Sequence, residues 1–182
     1  MSSSGIIIVI VAIVVIILIG IILVSNKFNR LVVKIEEADS DIDVALIKRH
    51  DTLTKMLDVV KGYAKHEKET LLKIIEVRKG MSISEKAEAI KSMDDATNKI
   101  NVLAESYPEL KSSENYNTLQ KSVMDVEEHL QAARRLYNSN VSSFNQYLVT
   151  FPFSIIGKSK GLTKKEFLEA EEVKKEDVKM DL

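Results

Sequence analysis

The chain has 182 residues, a formal charge of −1, no cysteine, no tryptophan, six glycines and two prolines. Near-neutral charge argues against a nucleic-acid partner gathered by bulk basicity, and the missing thiol excludes disulfides, thiol catalysis and cysteine metal sites. Scarce Gly and Pro beside abundant Ala, Leu, Glu and Lys favour long helices.

The first element is residues 6–24, IIIVIVAIVVIILIGIILV, in which seventeen of nineteen residues are Ile, Val or Leu. No charged side chain precedes Lys27. At about 1.5 Å of rise per residue this makes a helix of roughly 28 Å, close to the hydrocarbon thickness of a bilayer. Inside lipid a helix closes its own backbone hydrogen bonds, so the β-branched run is predicted to span the membrane as a helix despite its strand propensity. Insertion is worth at most roughly −5 to −10 kcal/mol. A cleaved signal peptide fits poorly, because residues 1–5 carry no basic side chain and no A-x-A-like site precedes Ser25-Asn26. A buried helix of a soluble protein would show a polar face, which this segment lacks. Lys27, Arg30 and Lys34 follow the span with no basic side chain before it. The positive-inside rule then predicts a cell-membrane protein with its N-terminus outside and its remainder in the cytoplasm.

About 156 residues remain, enough for one domain with its own core. Apolar residues recur at Leu31, Ile35, Ala38, Ile42, Leu46, Leu53, Leu57, Val60, Ala64, Leu71 and Ile75. Steps of three, four or seven put them on one helical stripe. The stripe fits one helix or two: Asp51-Thr52 offers a new cap, yet no Pro or Gly forces a break there. Gly62 weakens the interior by about 1 kcal/mol relative to Ala without ending it. Lys79-Gly80-Met81 is the first clear stop, with Gly80 suited to a left-handed C-cap. Ser82-Ile83-Ser84-Glu85 has capping-box spacing, and the helix it opens carries Ile83, Ala87, Ile90, Met93, Thr97, Ile100, Ala104 and Tyr107 on one face. Pro108 closes it. Ser112 or Ser113 caps the next helix. In that helix Tyr116, Val123, Leu130, Tyr137 and Phe144 repeat at seven, interleaved with Leu119, Val126, Ala133, Asn140 and Tyr147. It should end near Thr150, before Phe151-Pro152.

The expected fold is all-α: an N-terminal single transmembrane helix followed by an antiparallel bundle of three to four long helices. The heptad spacing equally fits a coiled-coil oligomer. The organisation is then a short outer segment (1–5), the span (6–24), the bundle (27–150) and a membrane-proximal or bundle-capping segment with a charged, solvated tail (151–182). If the first soluble helix folds back near Asp51, four helices return residue 150 to the membrane side. If it is continuous, three helices should leave residue 150 at the distal end.

A run of residues in this order resembles the LemA family. It comprises Asp41-Ile42-Asp43-Val44, Leu46, Lys48-Arg49 and Asp51; Lys61-Gly62-Tyr63-Ala64-Lys65-His66-Glu67 with Thr70-Leu71; Tyr107-Pro108-Glu109-Leu110-Lys111; Ala133-Arg134-Arg135 with Tyr137-Asn138; Phe151-Pro152; and Phe167 with Glu169-Ala170. The resemblance covers nearly the whole chain and implies a bacterial membrane protein with an exterior N-terminus and a four-helix bundle. It implies no established molecular activity, although some relatives are associated with shaping intracellular membranes. Asp39 stands where the family usually has Trp, and Thr54 where it has Pro, which weakens the case for a break at Asp51.

Residues for chemistry are sparse. The positions three before His50, His66 and His129 are Ile47, Tyr63 and Val126, so the Glu-x-x-His pair of a di-iron bundle does not occur. His66-Glu67 is followed by Thr70 rather than a second histidine at i+4, and no serine sits in a nucleophile elbow. Gly157-Lys158-Ser159 lacks the glycine five residues earlier that a phosphate loop needs. The expectation is a non-enzymatic protein with no cofactor and no metal.

Two groups of residues suggest binding. Arg49, His50 and Asp51, then Tyr63, His66 and Glu67, interrupt the first stripe, and Arg134, Arg135 and Asn138 flank the last one. A solvated face with inter-helix ion pairs accounts for them, and so does an interaction face, where Arg and Tyr are enriched. Phe151, Phe153, Ile155 and Ile156 beside Lys158 and Lys160 fit either a membrane-interface contact or a loop over the bundle end. The sequence thus points to a scaffold or interaction module whose partners are the lipid bilayer and a protein or its own copies, with no nucleic acid. The alternative is a ligand-binding or regulatory module that relays a signal to a neighbouring membrane protein.

Overall fold

The computed structural model describes residues 3–63 and 77–168, and all regular structure among them is helical. The helices are α1 (Ser3–Tyr63), α2 (Ile83–Ser106), α3 (Pro108–Lys111), α4 (Glu114–Val149) and α5 (Phe153–Ser159). α1 passes through Asp51 without a break. Thr52 and Thr54 do not cap a new helix; their hydroxyls donate back to the carbonyls of Lys48 and His50, at 2.8 and 2.9 Å. Every Ile, Val and Leu from Ile6 to Leu23 is exposed, whereas every described member of the predicted stripe from Leu31 to Val60 is buried. α1 is therefore long and apolar enough to cross a membrane at one end and supplies a core face at the other.

The predicted caps at Ser82 and Ser113 are present, and Gly80 takes the left-handed backbone expected of it. Gly80 has φ +74°, which a side chain would resist. Ser82 Oγ accepts from Glu85 N while Glu85 Oε2 accepts from Ser82 N. Pro108 opens α3, and Ser113 Oγ accepts from Tyr116 N at the head of α4. Along α4, Tyr116, Val123, Leu130, Tyr137 and Phe144 are all buried, as the heptad spacing predicts. On α2 the buried line is Lys86, Ala89, Ile90, Met93, Ala96, Ile100 and Ala104, rotated from the predicted face because Lys86 points inward while Ala87 and Thr97 stay half-buried.

Two compact units are distinguished. The first joins Met1–Asp39 to Leu136–Glu166. There α4 runs antiparallel to α1: Asn140 Nδ2 donates to the Lys34 carbonyl at 2.9 Å, and Phe28 meets Phe144 edge-on at 6.0 Å and Tyr147 at 4.8 Å. Tyr147 in turn stacks on Phe153 at 4.2 Å. Residue 150 thus lies beside the α1 segment just past the apolar run. The expectation that a continuous first helix leaves it at the distal end is overturned, and the second unit shows why.

That second unit comprises Ser40–Arg135 with the chain from Phe167. Gly80 N donates to Asp43 Oδ2 at 3.1 Å, so the chain is already back at Asp43 before α2 begins. α2 then runs in the direction of α1, with Lys86 at Asp43 and Asp94 at Arg49. Part of the segment expected as a solvated tail is instead held by the fold. Asn145 brackets the backbone of Lys165, accepting from its N–H at 2.8 Å and donating to its carbonyl at 2.9 Å. Tyr137 Oη donates to the Glu166 carbonyl at 3.1 Å, and Leu168 is fully buried. One leucine among charges gives little periodic signal, which is why the pattern misses it.

Candidate functional site

In the second unit the helix contacts carry charge. Lys86 Nζ lies 2.9 Å from Asp43 Oδ1, with the lysine side chain fully buried and the aspartate 10% exposed. Arg49 occupies a core position, at three and four residues from the buried Leu46 and Leu53 in the stripe, and its side chain is 3% exposed. Its Nη2 pairs with Asp94 of α2 and lies 3.0 Å from Glu127 Oε2 of α4. Among the described residues Nε and Nη1 are buried with no hydrogen-bond partner, and the Glu127 contact is coulombic rather than an aligned hydrogen bond. A buried charge so placed is more a constraint on which helices meet than a source of stability.

The predicted interaction residues are not gathered on one exposed face. Arg49 and Arg134 are buried, His50 and Asn138 are half-buried, and Asp51, Tyr63 and Arg135 are exposed. His50 Nδ1 sits 3.5 Å from Asp51 Oδ1. His66 and Glu67 lie outside the described residues. Asp43, Lys86, Asp94 and Glu127 were not singled out from sequence. Their signal is weak: Asp43, Lys86 and Glu127 each stand three residues before a core position, but a charged side chain there reads as the edge of a solvated face.

Residues 151–160 divide sharply. Phe153 and Ile156 are half-buried, and Gly157 is buried so tightly that a Cβ would stand 2.5 Å from Leu148 Cδ1 and 3.2 Å from Phe28 Cζ. Phe151 and Ile155 are exposed, by 78% and 60%, and Lys158 is exposed with them. Lys160 Nζ donates to Ser25 Oγ at 2.7 Å and to Asn29 Oδ1 at 3.2 Å. The sequence signal for Gly157 was absent, since an isolated Gly in FSIIGKS is as consistent with a turn as with close packing.

A cavity of about 260 Å³ opens between α2, α3 and α4, lined by Asn101, Ala104, Glu105, Lys111, Tyr116 and Gln120. Tyr116 Oη donates to Asn101 Oδ1 at 3.3 Å, and burial, aided by the Glu105 charge, raises the phenol above its ordinary value. Burial also raises Tyr137, with Asp39 and Glu166 adding to it. Both hydroxyls are thereby held as hydrogen-bond donors. Among the described residues no group of three or more His, Asp or Glu is placed to hold a metal ion.

Comparison with known proteins fits this architecture. Residues 38–182 match the model of the LemA family. The chain is also similar to the Protein LemA of Metamycoplasma hominis (strain ATCC 23114), 28% identical over 158 residues that cover 84% of this chain and 72% of that protein.

Proposed function

The chain belongs to the LemA family, and from that premise we propose that it is a membrane-tethered scaffold that presents a helical bundle to protein partners or to its own copies. The observation that carries this reading is the continuity of α1 from the exposed apolar residues to the bundle core in one 61-residue helix. Anchor and bundle core thus lie on one continuous helix. In this reading α1 crosses the cell membrane with the N-terminus outside. Lys27, Arg30 and Lys34 hold the bundle on the cytoplasmic side. The role is non-enzymatic; the heptad residues of α4 are used in the protomer's own core, so self-association that organises the membrane would use another surface of the bundle.

Protease protection on intact and on opened cells, with crosslinking of the same membranes, tests both parts. Protection until the cytoplasm is opened, with reproducible crosslinks to a partner or a second copy, is the expected result. Digestion from outside would overturn the orientation and move the scaffold to the cell envelope.

One observation favours the second reading, a ligand-binding module: the polar cavity at Asn101 and Tyr116. A small polar metabolite that raises the melting temperature of the wild type but not of Asn101→Leu would support it.

A further inference from the structure

The part of the first unit beside the end of the apolar run has an unusual charge distribution. The first unit holds seven Lys or Arg against four acids, Glu36, Glu37, Asp39 and Glu166, all of which fall outside residues 1–35 and 136–165, whereas the whole chain carries a formal charge of −1. Three of those cations directly follow the apolar run. The other four, Lys158, Lys160, Lys164 and Lys165, lie more than 120 residues further along the chain and are brought there by the fold. Lys160 is bonded to Ser25 and Asn29, and Lys165 is fastened to Asn145, next to the Phe144 that packs on Phe28.

Depth follows from α1. Ser25 and Asn29 lie about 1.5 and 7.5 Å beyond Val24 along the helix axis, the first inside the roughly 5–7.5 Å of headgroup on each side of a bilayer and the second at its outer edge. α5 sits at this level with its inner face closed, since Phe153 stacks on Tyr147 and Gly157 meets Phe28 and Leu148. Its outer side is open: Ile155 is exposed with Lys158 following, and Phe151 and Val149 are exposed in the chain just before the helix.

We infer that this outer face is a second membrane contact: Phe151 and Ile155 enter the interface of an anionic bilayer, and the lysines around them engage lipid headgroups. The inference rests on the membrane-spanning reading of α1. Aromatic and aliphatic side chains beside cations are the residues that partition to this layer, and clustered lysines draw anionic lipid. A second copy is the poorer occupant, because the same face on it carries the same positive charge. With α1 crossing the bilayer and α5 lying on it, the first unit is held at two points, so it cannot swing about the anchor.

The chain has no cysteine, so single labels are unambiguous. The full-length protein is reconstituted in phosphatidylcholine liposomes with or without phosphatidylglycerol. It carries an environment-sensitive fluorophore at Ile155→Cys or at the exposed α2 position Asn98→Cys, and the lipids bear quenchers near the headgroup. Several-fold stronger quenching at 155 than at 98 is expected in anionic liposomes. It should fall in neutral ones and in a Lys158→Gln/Lys164→Gln/Lys165→Gln variant. Equal quenching at the two positions, in a protein that resists alkaline extraction, would overturn the contact and leave the span intact. Loss of the protein on alkaline extraction would instead sink the spanning reading, and the contact with it. Quenching at 155 that ignores lipid charge overturns the anionic preference. Shielding that tracks protein density rather than lipid quencher would make a second copy the occupant.

Discussion

α1 and α4 both run through the two units, yet what meets them differs. In the first unit they are joined by rings and a close approach: Phe28, Phe144, Tyr147 and Phe153 in sequence, with Gly157 tucked against Phe28. In the second, α1 meets its neighbours through charges inside the stripe, Asp43 and Arg49 with Lys86 and Asp94 of α2, and Arg49 with Glu127 of α4. The signs alternate: α1 offers an acid then a base, and α2 answers with a base then an acid. Sliding α2 along α1 by about two turns would bring Lys86 toward Arg49, a like-charge contact. Shape holds the first unit, and charge order fixes the register of the second.

The largest test of that contrast is Lys86→Met. It leaves the Asp43 carboxylate buried with the Gly80 N–H as a remaining donor, and breaking such a pair costs about 3–5 kcal/mol. Denaturant unfolding of the full chain in micelles reads the loss. Replacing both partners, as Asp43→Leu/Lys86→Met, should recover most of it, because an apolar pair of similar volume is often neutral. A double variant as unstable as the single one would mean the pair stabilises as well as specifies.

Gly157→Leu probes the other unit. Its side chain has no room between Leu148 and Phe28, and overpacking costs about 1–3 kcal/mol. The damage should be local, seen as faster hydrogen exchange across α5 with α2 unchanged. Gly157→Ala should do less, since Leu148 Cδ1 is a side-chain terminus that can turn away. Uniformly faster exchange in both units would erase the distinction between them.

Arg49→Met sharpens the comparison within the second unit. Two of the guanidinium nitrogens are buried and unpartnered among the described residues, while Asp94 and Glu127 are 51% and 34% exposed and can be solvated once the arginine is gone. A long apolar side chain at this stripe position should leave stability within about 1 kcal/mol of wild type or raise it. A loss as large as that from Lys86→Met would show the two buried cations to be alike.

Much of this was legible in the pattern. The apolar run, the stripe from Leu31 to Val60, the α4 heptads, the Ser82 box and the stop before Phe151 are local statements, and the structure keeps each of them. The rest depends on contacts far apart in sequence. Arg49 reads as an interruption until Asp94 and Glu127 are known to face it, and Lys86 reads as a surface lysine until Asp43 does. The segment around Leu168 reads as solvated because its burial follows from Asn145 and Tyr137 gripping backbone, which leaves no hydrophobic period to find. Within the candidate residues at 151–160, sequence could not separate the packed Phe153 from the exposed Phe151.

The smallest effect concerns the capping box that starts α2, and it carries a pH signature. The Ser82 backbone N–H and then its hydroxyl, with the Arg78 charge adding, hold the Glu85 carboxyl below its ordinary value; exposure to solvent keeps the effect modest. Because the folded value is depressed, the carboxylate's contribution is fully present above its unfolded value near 4.5 and is lost as pH falls through the folded value. Glu85→Gln keeps an acceptor for Ser82 N but cannot titrate, so it should be slightly less stable than wild type at pH 7 and converge with it in acid. Thermal melts of the two proteins across that window make the comparison. A difference that stays constant with pH would place the stabilisation in the hydrogen bond alone, and then charge would order the second unit only where it is buried.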